Sequence, residues 1–300
     1  MATRARTFSW ANRLLPRRHR DDMATLYAFC RLIDDLADDR KSDVAALRVL
    51  DEVQLDLGRR TSKHPIVASF LRLARRRAIP LACASELVEG VRSDVGRVRI
   101  ETHDDLLRYC YRVASTVGVM ICNVLEIDEP AARPFAVDLG IGMQLTNIAR
   151  DVLEDFGADR IYLPAELIDH SRVAAALGGD GAAETELFLA VRSLLAMASR
   201  YYRSADLGMH FLPARARWGI LTASRSYEAI GARIEAMGIG YWRGRAATSG
   251  LQKVGATLEA GLSVMLASSL SRGPYPARHE RSLHRALAPL ESAQELGLGP

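Results

Sequence analysis

Apolar residues recur at intervals of three and four along most of this chain, and alternation at period two is scarce. That pattern predicts amphipathic helices with few strands. Local chemistry predicts where they begin and end. Ser42 can cap a helix over 44–57 that stops at Gly58. Pro80 can start one from 81 to about 91. Thr102 and Asp105 have the spacing of a capping box ahead of a long apolar helix through Val113, Val117 and Met120. Asp128 and Pro130 open the next, which the stretch from Gly157 to Pro164 breaks. A glycine-rich loop at 178–181 precedes a helix over about 183–206, and Pro213 can start another through Tyr227 to Met237. From Gly273-Pro-Tyr-Pro onward the pattern fades, which predicts a poorly anchored tail over 273–300. No repeat, linker or shift of composition divides residues 1–272. The pattern therefore predicts an all-α, single-domain helical bundle around a central cavity.

Two of these helices carry aspartates four residues apart. The first reads Tyr27-Ala-Phe-Cys-Arg31-Leu-Ile-Asp34-Asp35-Leu-Ala-Asp38 and the second Gln144-Leu-Thr-Asn147-Ile-Ala-Arg150-Asp151-Val-Leu-Glu154-Asp155. At about 100° per residue, Tyr27, Arg31, Asp34 and Asp38 share a stripe roughly 60° wide. Gln144, Asn147, Asp151 and Asp155 share one roughly 80° wide, and Phe29, Ile33 and Leu36 lie opposite the first stripe. Like charges at this spacing oppose helix formation by about 0.2–0.5 kcal/mol per pair. One such face on its own is most simply a solvated surface. Two of them, the second extended by Asn147 and Gln144, fit a shared cluster of hard divalent cations. Oxygen-only ligands select Mg²⁺ or Mn²⁺, and Mg²⁺ usually bridges a few carboxylates to substrate phosphates. The spacing supports a metal and diphosphate site but leaves the organic part of the substrate open.

Composition narrows the classes further. The 300 residues are 49% hydrophobic and 25% charged, ordinary for a globular protein with a sizeable core. Cys30, Cys83, Cys110 and Cys122 have no Cys-x-x-Cys spacing and sit in apolar helical contexts, which predicts reduced core thiols and a reducing compartment. No apolar run fits a secretory signal or a membrane span. The net charge is +4, with arginine strongly preferred over Lys41, Lys63 and Lys253. Arginine grips phosphate in a planar fork, although genome composition gives the same bias. Acidic residues are interspersed throughout, so nucleic acid is not an expected partner.

The two acidic segments, together with Tyr109-Cys-Tyr-Arg-Val-Ala-Ser-Thr-Val-Gly118 and Arg160-Ile-Tyr-Leu-Pro164, resemble the squalene/phytoene synthases. These are head-to-head prenyl diphosphate synthases with the isoprenoid-synthase fold, and the likeness spans roughly residues 4–250. The resemblance implies a helical bundle of that type, with the acidic motifs facing each other across the mouth of an apolar cavity. It implies that Asp34, Asp38, Asn147, Asp151 and Asp155 hold Mg²⁺, or Mn²⁺, and the diphosphates. The same likeness makes Tyr27, Arg31, Gln144 and Arg150 substrate contacts. Arg4, Arg6 and Thr7 stand where relatives usually have His-x-Lys-Ser-Phe, keeping the charge and the hydroxyl but not those residues. Tyr227 and Arg245 fall where relatives approach the diphosphate from the far side, with Arg243 as a competitor for the second position. Tyr109 matches a cavity tyrosine, on one helical face with Val113 and Val117. Its other reading is a core aromatic whose hydroxyl has a partner.

In the family, one prenyl diphosphate ionises and its C1 attacks the double bond of a second, giving a cyclopropylcarbinyl diphosphate. Ionisation, rearrangement and proton loss then give phytoene, or hydride from NADPH gives squalene. The segments Ser226-Tyr-Glu-Ala-Ile-Gly231 and Gly238-Ile-Gly-Tyr-Trp-Arg-Gly-Arg245 look most like bacterial phytoene synthases. The expectation is therefore geranylgeranyl diphosphate to phytoene, in carotenoid biosynthesis, without NADPH. The alternatives are squalene, dehydrosqualene or presqualene diphosphate formation from farnesyl diphosphate, and a non-catalytic assembly factor, which the intact aspartates disfavour. A C40 product suggests a cytoplasmic enzyme touching the inner membrane face peripherally, with hand-off to a downstream desaturase. The arginines among Phe8, Trp10, Leu14 and Leu15 suit a lipid surface, or equally a flap over the diphosphate pocket.

Overall fold

A computed structural model describes residues 17–38, 42–244 and 278–298. The periodicity is realised almost entirely as helix. Helix α1 (Arg17–Asp38) buries Met23, Leu26, Phe29 and Ile33, a stripe at three- and four-residue steps. Phe29 stacks on Phe70 of α3 (Pro65–Arg77) with ring centroids 3.9 Å apart. Between them, α2 (Asp43–Arg59) starts at Ser42, whose hydroxyl accepts the Ala45 N–H, and ends two residues beyond Gly58 with Arg60 in the left-handed region. Helix α4 (Leu81–Arg92) follows Pro80 as the sequence predicts.

A two-residue strand, β1 (Val98–Arg99), pairs in parallel with β2 (Arg160–Ile161), Val98 opposite Arg160. This short ladder ties the far end of the second acidic helix back to the turn after α4. Thr102 then caps α5 (His103–Cys110) as a reciprocal box, accepting the Asp105 N–H at 3.1 Å and donating to its carboxylate at 2.7 Å. The long apolar helix expected next is interrupted. Residues Tyr111–Ser115 form one π turn before α6 (Thr116–Val124) resumes.

Helix α7 (Arg133–Gly157) is the central post, packed on α6, α9 (Gly181–Gly208), α10 (Ala214–Met237) and the π turn. Close approach is purchased with glycine: a Cβ at Gly140 would lie 2.6 Å from the Ser115 Cα, and one at Gly118 2.8 Å from the Ala136 carbonyl oxygen. Helix α8 (His170–Leu177) leans on α9. The four cysteines are free thiols, three of them buried.

The chain end corrects the expectation of a loose tail over 273–300, at least for 278–298. A 3₁₀ stretch (Arg281–Leu287) and α11 (Glu291–Glu295) bury Leu283, Leu287, Leu290, Leu296 and Leu298. Buried polar groups hold the segment as well. Tyr201 donates to the Leu283 carbonyl at 2.9 Å, Tyr111 and Ser292 share a hydrogen bond of 3.1 Å, and His279 and His284 meet the buried Asp138 of α7. These anchors come from distant helices, so local periodicity carries no trace of them.

Candidate active site

Helices α1, α6, α7 and α10 enclose a cavity of about 380 Å³, with parts of α4 and α9 completing its wall. Polar lining is confined to one end, where Tyr27 and Asp34 of α1, Gln144 and Asn147 of α7 and Tyr227 of α10 converge. Away from that end every helix turns apolar. The lining runs from Asp34 to Met23 on α1 and from Tyr227 to Ala216 on α10, each about 17 Å at 1.5 Å per residue. On α7 it runs from Asn147 to Phe135, about 18 Å. The cavity is thus a shaft with a charged mouth and a dry interior.

The first acidic face reaches this mouth through Asp34 and the second through Gln144 and Asn147, with Asp151 and Asp155 one and two turns beyond the lining on α7. On α1, Asp34 lines it directly, and Arg31 is forked onto Asp35 one turn on, with Nε 3.1 Å from the carboxylate. On α7, Arg150 grips Asp151 in the same two-pronged way, Nε to Oδ1 at 2.6 Å. Asp94, which follows α4, is held by two tyrosines that belong to neither acidic face. Asp94 is buried and accepts hydrogen bonds from Tyr162 at 2.6 Å and Tyr109 at 3.0 Å, the two rings stacked 4.8 Å apart. Burial pushes the Asp94 carboxyl up to about 6, against the opposing pull of Tyr162, Arg160 and Tyr109, and the charge of Asp34 adds to the rise. Burial, Asp94 and, more weakly, Asp155 raise the Tyr162 phenol far above its usual range.

The donor set suits a hard cation. Asp34, Asn147, Asp151 and Asp155 offer oxygens only. The side-chain oxygen of Asn147 is buried with no hydrogen-bond partner, while its amide nitrogen donates to Gln144 at 3.2 Å. A buried acceptor left unmet costs about 1–3 kcal/mol unless something fills the position. A divalent ion at the mouth would do so. Asp138, His279 and His284 also form a group of metal-ligand type, but it lies about 20 Å from Asp151 along α7. Its carboxylate is satisfied by His279 and His284 at 2.8 Å each and by Ser204 at 2.6 Å.

The structure thus brings Tyr27, Asp34, Gln144, Asn147 and Tyr227 together, with Arg150 close enough to feel Tyr227 and Asp151. Tyr109 is a correction: it is absent from the cavity lining and is a core aromatic bound to Asp94. Val113 and Val117 do line the cavity. The π turn, which contains Val113 and precedes Val117, adds a residue to one turn of helix and rotates Tyr109 off the face predicted for a continuous α-helix. Arg243 is ion-paired with Glu184 and lies away from the lining. Arg4, Arg6, Thr7 and Arg245 lie outside the described residues, as does the side chain of Asp38 at the end of α1. Asp94 and Tyr162 escaped the sequence reading. Tyr162 sits inside the quoted Arg160–Pro164 motif, whereas Asp94 is a lone aspartate after a helix and gives no local signal.

Comparison with known proteins agrees with this architecture. The family model described as squalene/phytoene synthase matches residues 1–252. A 15-cis-phytoene synthase of Enterobacter agglomerans is 34% identical over 265 residues, covering 85% of this chain and 90% of that protein. One from Paracoccus sp. strain N81106 is 37% identical over 262 residues, covering 84% and 85%. The crystal structure of a dehydrosqualene synthase in complex with ligand matches with a TM-score of 0.75 at 28% identity, over 88% of this chain and 94% of that one. A squalene synthase from Alicyclobacillus acidocaldarius matches in fold, with a TM-score of 0.66 at 22% identity, over 77% and 88%.

Proposed function

Because the chain belongs to the squalene/phytoene synthase family of prenyltransferases, we propose that it joins two geranylgeranyl diphosphates head to head to give phytoene. The observation that carries this reading is the shaft itself: a charged mouth opening on about 18 Å of apolar wall. An all-trans C20 prenyl chain spans about 19 Å along its main chain and a C15 chain about 14 Å, for carbon–carbon bonds near 1.5 Å. The depth supports the longer substrate. The likeness to a dehydrosqualene synthase supports the competing C15 reading.

Diphosphate leaves carbon readily only if its charge is met as it departs. Asp34, Asn147, Asp151 and Asp155 would hold Mg²⁺, which supplies that neutralisation when bound. Arg150 and Arg31, already ordered against carboxylates, add fixed positive charge beside the same mouth. The first C1–O bond then breaks, and the allylic cation attacks the C2–C3 double bond of the second substrate. Loss of a proton gives a cyclopropylcarbinyl diphosphate. A second ionisation, rearrangement and proton loss give the C40 polyene with its central conjugated triene, with two diphosphates and two protons released in all. Tyr27, Gln144 and Tyr227 orient the substrate heads, and the walls of α6 and α10 exclude the water that would quench either cation. The chemistry as written consumes no hydride.

Among the described residues no helix is long and apolar enough to cross a membrane. A C40 hydrocarbon still needs an apolar acceptor, since each CH₂ favours burial by about 0.8 kcal/mol. Peripheral contact with the inner membrane face, and transfer there to a desaturase, follow from that solubility. The metal-dependent step has a direct test. Diphosphate release from geranylgeranyl diphosphate should require Mg²⁺ and fall by orders of magnitude in Asp34→Asn, with the melting temperature nearly unchanged. Full release by Asp34→Asn in chelator-treated buffer would refute the assignment.

A further inference from the structure

The geometry points to Phe135 as the end stop that sets the longest prenyl chain the shaft accepts, with His279 as the residue that positions it. This rests on the prenyl diphosphate reading above. The walls between mouth and end mix small residues, such as Gly140 and Ala136 on α7 and Gly118 on α6, with aliphatic ones such as Met143 and Ile220, and no aromatic ring lines the shaft between the mouth tyrosines and Phe135. Phe135 lies at the opposite end of α7's lining from Asn147, with only Ala132 and Leu125 lining the cavity past it on that side, and its side chain is buried. Its ring is fixed from three sides. A Cβ at Gly208 would fall 2.2 Å from the Phe135 Cβ, so the ring sits directly on the α9 backbone. Phe211 stacks against it at 6.0 Å, and His279 meets it edge-on at 5.3 Å.

His279 is fixed in turn. Its Nε2 bonds the buried Asp138, three residues along α7 from Phe135, and His284 and Ser204 fill the rest of that carboxylate. Burial alone would push the Asp138 carboxyl up; the hydrogen bonds from both histidines and Ser204 outweigh it and hold it below the usual range. The chain end is thereby latched behind the floor of the shaft. From Asn147 to Phe135 the axial distance is about 18 Å. That admits a C20 chain of about 19 Å reaching from the mouth, whereas a C25 chain of about 24 Å would meet the ring.

The test uses the full-length protein with C15, C20 and C25 all-trans prenyl diphosphates, and with their non-ionising thiolo-diphosphate analogues for binding. Wild type should prefer C20 over C25. Phe135→Ala should raise the C25-to-C20 ratio of kcat/KM, and of analogue affinity, by about tenfold or more, the scale of discrimination by apolar pockets. Phe135→Trp should move the preference toward C15. His279→Ala should relax the C25 limit partway, while His279→Phe, which keeps a ring behind the floor, should restore it. If Phe135→Ala fails to fold, Phe211→Ala opens the same end and should give the same direction. A wild type that turns over C20, with unchanged ratios in the Trp variant and in a folded Ala variant, overturns the end stop alone. A wild type that neither binds nor turns over any of the three overturns the prenyl diphosphate reading, and this inference with it.

Discussion

Asn147 places a buried amide oxygen at the charged mouth with no donor to meet it, which is a cost without a return unless a ligand arrives. Replacing it by leucine removes that cost along with the ligand. Asn147→Leu should therefore melt no lower than wild type in chelator, yet lose most of the stabilisation that Mg²⁺ gives wild type. Thermal melts across a Mg²⁺ titration check this, and an unaltered Mg²⁺ response would remove Asn147 from the metal site. At this scale the candidate site is legible where oxygen donors repeat on one helical face. Asp34, Asn147, Gln144 and Tyr227 could be named because spacing or motif marks them. Asp94 could not, because only the fold brings it between Tyr109 and Tyr162.

At the scale of the element, the π turn at Tyr111–Ser115 decides which side chains enter the shaft. Periodicity foretells the helices on either side, but a single wide turn leaves no mark in an apolar run, so the sequence leaves the facing of Tyr109 open between cavity and core. The turn depends on Gly140, whose missing side chain lets α7 touch the Ser115 backbone. Gly140→Ala gains about 1 kcal/mol of helix propensity but drives a methyl into backbone that cannot swing aside. Overpacking of this kind costs about 1–3 kcal/mol or more, so the net effect should be destabilising. A melting temperature at or above that of wild type would contradict the close contact.

Asp94, in the turn between α4 and β1, supplies a pH signature. Its folded-state value of about 6 lies above the ordinary 3.8, so its contribution is fully present at low pH and is lost as pH rises through 6. A shift of this size is worth roughly 3 kcal/mol when complete, at about 1.4 kcal/mol per unit. Between pH 4 and 6.5 wild type should lose stability relative to Asp94→Asn, which does not titrate. Parallel stability profiles for the two proteins would show that Asp94 titrates normally.

For the molecule as a whole, the bundle and its cavity were legible because nearly every helix announces its own start and its own apolar face. The chain end was not. Residues 278–298 earn their place through Tyr111, Asp138 and Tyr201, all more than seventy residues away in sequence, and their short 3₁₀ turns lack a helical period. That docking completes the far end of a shaft whose depth matches a C20 chain. On the proposed reading, this shaft joins two such chains without a reductant. The most direct test incubates the purified protein with C15 and C20 prenyl diphosphates separately, each with Mg²⁺ and with or without NADPH, and identifies the hydrocarbons by mass. Phytoene is expected from the C20 substrate, equal in amount with and without NADPH, with far slower conversion of the C15 substrate. Efficient conversion of the C15 substrate with little from C20, or a product that forms only with NADPH, would contradict that reading.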